Sequence, residues 1–415
     1  SKLFVRSDDS TRWEIPSSRM NFFRPASFSS KKVPGSRRIF VLGGSTVQGR
    51  PYETETAFAK WAELQLTASD PEHRYEVINC GGVSYASYRV AIILNEILEH
   101  EPDAIVLYTG HNEFLEERSY ETLNADRSTV RWLANRSKLV QFLNRKLVSS
   151  DRPKTGLTDQ LQTRLDLQNG MQRYVRDQAW RDAVVEHFRT TLGRMVAACR
   201  AADVPLLICV PTSDLVRTPP MKIQSAELSD EAEQRFQDHW DVATDATVAE
   251  EERLRATDAC LSIDPHHAGA HYVAGILHWE RNRSDAARRH LTAARDDDVC
   301  PLRATTPIIE AVLEISDQND LPLIDCNRMF DQVDSLSRRI PDGIPDPARF
   351  VDHIHPSIAG HQEIGISVAD ALLDLFGVES TPDAESRYKD AVSEHLASLD
   401  ETYFSRSRQR LEGLR

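Results

Sequence analysis

The chain has 415 residues, 40% of them hydrophobic and 27% charged. At roughly 100–200 residues per domain this supports two to three domains with substantial cores, and it excludes disorder over most of the length. Fifty Lys and Arg stand against 64 Asp and Glu, a net charge of −14; nucleic-acid binding and docking on anionic lipid both need a basic face and are disfavoured.

Residues 1–36 are polar and broken by Pro16, Pro25 and Pro34. They read as an irregular arm lying over the main domain, anchored by Trp13, Phe22, Phe23 and Phe28. From residue 38 a strand–helix alternation begins. Short apolar runs at 38–42, 75–78, 103–108, 204–210 and 321–325 predict strands. Helical spacing appears at 55–68 (Phe58, Trp61, Leu64) and at 86–100 (Val90, Ile93, Leu94, Ile97). Such alternation predicts βαβ units and a parallel sheet covered on both faces.

Two long stretches interrupt the rhythm. Residues 113–203 read as helical with a break at 149–156, and residues 226–318 as helical with no strand. Within the second, Gly275, Ala287, Leu291 and Ala294, preceded by Pro265, occupy the small and large apolar positions of a helix hairpin. That spacing resembles a tetratricopeptide repeat. Only about one and a half repeats are present where roughly three are needed for independent stability, so the hairpin is expected to pack on the rest of the protein. The charged tail, 382–415, carries Tyr388, Val392, Leu396, Leu399 and Phe404 and reads as a docked helical extension. The expected division is an arm (1–36), a first part of the main domain (37–222, with a helical insertion at 113–175), a repeat-like insertion (223–302), a second part (303–378) and a helical extension (379–415).

No apolar run approaches the roughly 18 residues of a spanning helix, and residues 1–20 do not read as a signal peptide. The compartment stays open: cell envelope or exterior if an upstream signal or anchor has been removed, cytoplasm otherwise. Cys80, Cys199, Cys209, Cys260, Cys300 and Cys326 show no CxxC pair and sit in apolar contexts, which disfavours a disulfide framework or a zinc site.

Four short segments carry chemistry. In Ile39-Phe-Val-Leu-Gly-Gly-Ser45 an apolar strand ends in two glycines and a serine, and ligand sites lie beyond the carboxyl ends of parallel strands. A plain turn would read the same. Asn79-Cys-Gly81-Gly82-Val-Ser84 is a glycine loop able to aim N–H groups at one point. Tyr108-Thr-Gly110-His111-Asn112-Glu113 puts a side-chain amide at a strand end, as an oxyanion donor or as an Asx turn. Asp352-His-Ile-His355-Pro can place a carboxylate against an imidazole that serves as base to a serine hydroxyl. A metal site from His353, His355 and His361 lacks a matching further cluster.

In this order the four segments resemble the SGNH, or GDSL-like, hydrolase superfamily, over residues 36–112, 180–215 and 320–376. The resemblance implies a flavodoxin-like three-layer α/β/α sandwich with a five-stranded parallel sheet. It implies a triad of Ser45, His355 and Asp352, with no cofactor and no metal. An oxyanion hole would come from the Ser45 N–H, an N–H of the glycine loop (Gly82 or Ser84) and the Asn112 side chain. Three positions depart from the family pattern: Gly44 stands where Asp is common, Ser84 where the loop's last Gly is expected, and Glu113 where Asp usually follows Asn. Arg303 is a candidate substrate contact that reads slightly better as a surface ion pair, and Tyr85, Arg89, Arg50 and His111 are weaker candidates. The expected activity is a serine esterase removing a short acyl group, such as acetyl, from a carbohydrate or another polar carrier. The alternatives are an O-acyltransferase with the same triad and a partner-binding scaffold that uses the repeat-like insertion.

Overall fold

The arm is organised, not irregular. Strands β1 (Val5–Arg6), β2 (Arg12–Glu14) and β3 (Ser27–Ser29) form a small antiparallel sheet in which Trp13 lies opposite Phe28. The prolines disguised this, because each strand is only two or three residues long, too short to show an alternation. Phe23 and Phe28 are buried, as are Leu3 and Phe4, whose N–H groups donate to the buried Glu96 carboxylate. The structure, a computed structural model, describes residues 2–116, 163–331 and 343–412.

Side-chain alternation in β4 (Ser36–Gly43) sets the layers. Phe40 and Leu42 face one core with α3 (Ser87–Ile97), α4 (Gln178–Ala201) and α9 (Thr306–Gln318). Ile39 and Val41 face the other, with α2 (Phe58–Ser69) and α11 (Ile358–Phe376). β5 (Arg74–Gly81) and β6 (Ala104–Tyr108) flank β4, and β7 (Leu206–Val210) and β8 (Leu323–Asp325) complete a parallel sheet ordered β5-β4-β6-β7-β8. Taking these five strands in sequence, the order is 2-1-3-4-5, the flavodoxin-like arrangement with helices on both faces. Register is what matters for function: Gly43 aligns with Gly81 on one side and with Tyr108 on the other, so three of the four segments leave the sheet at one edge.

Between β7 and α9 run α5 (Asp230–Thr244), α6 (Glu250–Ile263), α7 (Ala268–Glu280) and α8 (Ser284–Asp296). Gly275 of α7 meets Leu291 of α8 so closely that a Cβ would lie 2.7 Å from the Leu291 Cγ, which is why a small residue is needed there. Residues 117–162, most of the first stretch read as helical, lie outside the described residues. Two 3-10 turns, Arg164–Asp166 and Gly170–Arg173, precede α4 in place of continuous helix, because Thr163 and Asp166 close a capping box over a single turn. The short α10 (Cys326–Phe330) comes directly after β8. The tail forms α12 (Ala384–Ala397) and α13 (Glu401–Glu412), docked by His395 on Trp61 and by the Tyr403 hydroxyl on Thr56. All six cysteines are buried free thiols. Among the described residues no helix is long and apolar enough to cross a membrane.

Candidate active site

Ser45 opens α1 (Ser45–Gln48), a single turn immediately past the end of β4. Glycine at 43 permits it: a Cβ there would lie 2.0 Å from the Tyr108 carbonyl oxygen and 2.5 Å from Val47. The fourth segment arrives from beyond β8. A Phe350–Pro356 bridge and the Val351 N–H to His355 carbonyl bond (2.9 Å) close the loop that carries it. Ser357 then caps α11, with Pro356 just before it.

The three expected side chains meet. His355 Nε2 is 2.8 Å from Ser45 Oγ, and His355 Nδ1 is 2.6 Å from Asp352 Oδ2. The other Asp352 oxygen accepts the Ile354 and His355 N–H groups at 3.0 and 2.8 Å. Burial alone would raise the Asp352 carboxyl, but the facing His355 ring and its hydrogen bonds outweigh burial and hold it well below the usual carboxylate range. Ser45 and His355 are 6% and 3% exposed, so the triad is shielded from bulk water.

The oxyanion candidates separate. Gly82 is not available, because its N–H already donates to the Gly43 carbonyl at 3.0 Å. The Ser84 N–H makes no hydrogen bond among the described residues, and Ser84 adopts φ 62°, the left-handed conformation that glycine normally serves. Replacing Ser84 by Gly is therefore expected to keep kcat/KM within about twofold and to raise Tm slightly, since left-handed backbone costs a non-glycine residue about 1–2 kcal/mol. Steady-state kinetics and a melt check this, and a tenfold loss would assign the role to the hydroxyl.

Asn112 gives one amide N–H to the Tyr85 carbonyl (3.0 Å), leaving the other for a substrate oxygen. Glu113 explains its own departure from the family pattern: its two carboxylate oxygens take the N–H and the hydroxyl of Ser87, both at 2.8 Å, tying the third segment to the start of α3.

A small cavity of about 10 Å³ joins these parts. It is lined by Ser45, Tyr85, Tyr108, Thr109, His111, Asn112 and Ile354, among others. Thr109 and Ile354 are not among the expected site residues, although each lies inside one of the four segments. Tyr85 and His111 thus line the same cavity as Ser45. The Ala304 N–H donates to His111 Nδ1 (3.1 Å), which puts the proton of the neutral ring on Nε2. Arg303 does not belong. It is 3% exposed and donates to the carbonyls of Asp214 and Thr218, so it braces the root of the helical insertion. Arg89 is likewise held by Glu116. Among the described residues no group of acidic, histidine or cysteine side chains is arranged to hold a metal; His361 is buried against Phe58.

Burial, together with repulsion from neighbouring histidines, lowers His111 and His361 to about 3. In the unfolded chain each binds a proton below about pH 6.5, whereas the folded protein does not until about pH 3. Acid therefore favours unfolding, and each histidine is expected to cost about 2 kcal/mol of stability by pH 5. Melts between pH 7.5 and 5 should show a falling Tm, with a shallower fall in His361→Phe; an unchanged slope in that variant would contradict the assignment.

No family model and no curated protein matches the chain. Among solved structures it is similar to a catalytic mutant of an acetylxylan esterase from Geobacillus stearothermophilus, with 14% identity over 84% of this chain and 98% of that one and a TM-score of 0.37. It is also similar to a lipase/acylhydrolase from Enterococcus faecalis (13%, 83% and 98%, TM-score 0.34) and to a GDSL-like lipase from Bacteroides thetaiotaomicron (9%, 84% and 93%, TM-score 0.33). Likeness this distant leaves the weight on the chain's own geometry. The strand order and the meeting of the four segments at one sheet edge are those that the SGNH resemblance implies.

Proposed function

We propose that the chain is an SGNH-type serine esterase acting on a short acyl ester of a carbohydrate or similarly polar carrier. The observation that carries this is the continuous Ser45–His355–Asp352 relay at the carboxyl edge of the sheet, with 2.8 and 2.6 Å contacts. Ser45 Oγ attacks the ester carbonyl carbon as His355 Nε2 takes its proton. The negative oxygen of the tetrahedral intermediate is received by the N–H groups of Ser45 and Ser84 and by the Asn112 amide. His355 then gives the proton to the departing alcohol oxygen, leaving the acyl group on Ser45. Water, deprotonated by His355, attacks that ester, and the acid and free serine are released. The 10 Å³ cavity beside Ser45 supports a small acyl group.

The test is labelling with a fluorophosphonate, followed by intact mass and peptide mapping. One equivalent on Ser45, absent in Ser45→Ala, is expected, with turnover of acetylated sugars as the next measurement. A folded protein that stays unlabelled would refute the esterase reading.

A further inference from the structure

Two arginines near the nucleophile turn make no hydrogen bond or ion pair through their side chains among the described residues. Arg50 comes directly after the nucleophile turn, and its N–H donates to the Ser45 carbonyl at 3.1 Å. Arg24 lies in the arm, two residues past Phe22. The Phe22 carbonyl accepts from the Val83 N–H (2.9 Å) in the glycine loop and from Gln48 Nε2 (2.8 Å) in α1. The backbone next to each arginine is therefore fastened to the elements that carry Ser45 and Ser84. Both side chains are partly buried, and the Nε of each is fully buried with no hydrogen-bond partner. Neither makes an ion pair among the described residues. The two guanidinium groups are near enough to repel, and Arg50 also feels the Asp352 carboxylate.

The contrast with the neighbouring cation is informative. Arg410, which also faces Arg50, is held by Glu53 and reaches the Pro51 and Tyr52 carbonyls. The chain has 64 acidic side chains for 50 basic ones, so carboxylates to neutralise Arg24 and Arg50 were plentiful. Holding two like charges together, partly desolvated and without acceptors, is unfavourable unless an anion is bound there. Guanidinium forks match the oxygens of carboxylate and phosphate groups.

We propose that Arg24 and Arg50 form an anion subsite beside the triad, which holds a carboxylate or phosphate on the alcohol side of the ester. The acyl side is assigned to the small cavity next to Ser45, whose lining includes neither arginine. The substrate class is then an acyl ester of an acidic carrier, such as a uronic acid or a phosphorylated sugar. This rests on the esterase reading and sharpens it.

The test uses three fluorophosphonates of equal length on the alkoxy arm, ending in a carboxylate, a phosphate monoester or the carboxylate's neutral methyl ester. Second-order labelling rates at Ser45 are compared at low salt. At least one anionic probe is expected to react about tenfold faster than the neutral one, the worth of one charge-assisted hydrogen bond. The advantage should shrink with added salt. The faster anion identifies which group the subsite takes. In Arg24→Gln and Arg50→Gln the ratio should fall, and in the double variant it should approach one, while Arg50→Lys retains part of it. Equal rates for all three probes on the unaltered protein would overturn the subsite and leave the esterase reading intact, with no variant needed. An undiminished ratio in a folded double variant would also overturn it. No labelling by any probe removes the esterase reading, and this subsite with it.

Discussion

Replacing Asp352 by Asn is expected to lower kcat by about 10⁴-fold at neutral pH without unfolding the site, the size of loss found when a triad carboxylate becomes an amide. The hydrogen bonds dictate the direction. One carboxylate oxygen accepts two backbone N–H groups, from Ile354 and His355, and the other accepts His355 Nδ1–H at 2.6 Å. An amide has one oxygen and one NH₂. The two backbone donors need an acceptor, so the amide oxygen stays with them and the NH₂ turns to His355. Nδ1 must then accept, and the ring proton moves to Nε2, facing Ser45 Oγ. A base holding its proton towards the nucleophile cannot deprotonate it. Kinetics on the first substrate found, with Tm as the folding control, decide the matter. A loss under tenfold would mean that Asp352 does not set the tautomer. Asp352→Ala should lose comparable activity and also stability, since it leaves two backbone donors unpaired.

The same division between local and distant contacts decides how much the residues alone reveal. Asp352 and His355 are three apart, and Ser45 stands after a strand that two glycines must end, so both are encoded within a few residues of chain. Parallel strands with glycine-rich exits then leave one edge at which the segments can meet, and the register of Gly43 with Gly81 and Tyr108 realises it. Contacts between segments were invisible. Whether Gly82 or Ser84 offers its N–H depended on the Gly43 carbonyl, which belongs to another strand. Arg303 looked as free as Arg50 until the Asp214 and Thr218 carbonyls claimed it. Arg24 gave no signal, because its meaning depends on the arm crossing the glycine loop. Glu113 read as a departure from a pattern, whereas its extra methylene spans to Ser87 with both oxygens. The arm's strands left no periodicity to detect, because each is only two or three residues long.

Asn112→Ala is expected to cost about 10²–10³-fold in kcat with little change in KM, the loss typical of a single oxyanion donor. KM is spared because the bond strengthens only as charge develops on the oxygen. A second substitution reaches the same group from behind. A Cβ on Gly44 would lie 2.6 Å from Asn112 Nδ2, closer than real contacts allow. Gly44→Ala must therefore push the amide off its position, although it removes no donor. The space beside the nucleophile is filled by the Asn112 side chain, itself anchored on the Tyr85 carbonyl at 3.0 Å. If both substitutions act through one amide, their effects cannot add. Gly44→Ala should lower kcat on its own yet add little to Asn112→Ala, and a double-mutant cycle measures the difference. Full additivity would mean that Gly44 serves Ser45 directly, through the strand exit, and that the amide tolerates displacement. Non-additivity, together with unchanged KM in all three variants, would place the Asn112 N–H on the oxygen that becomes negative.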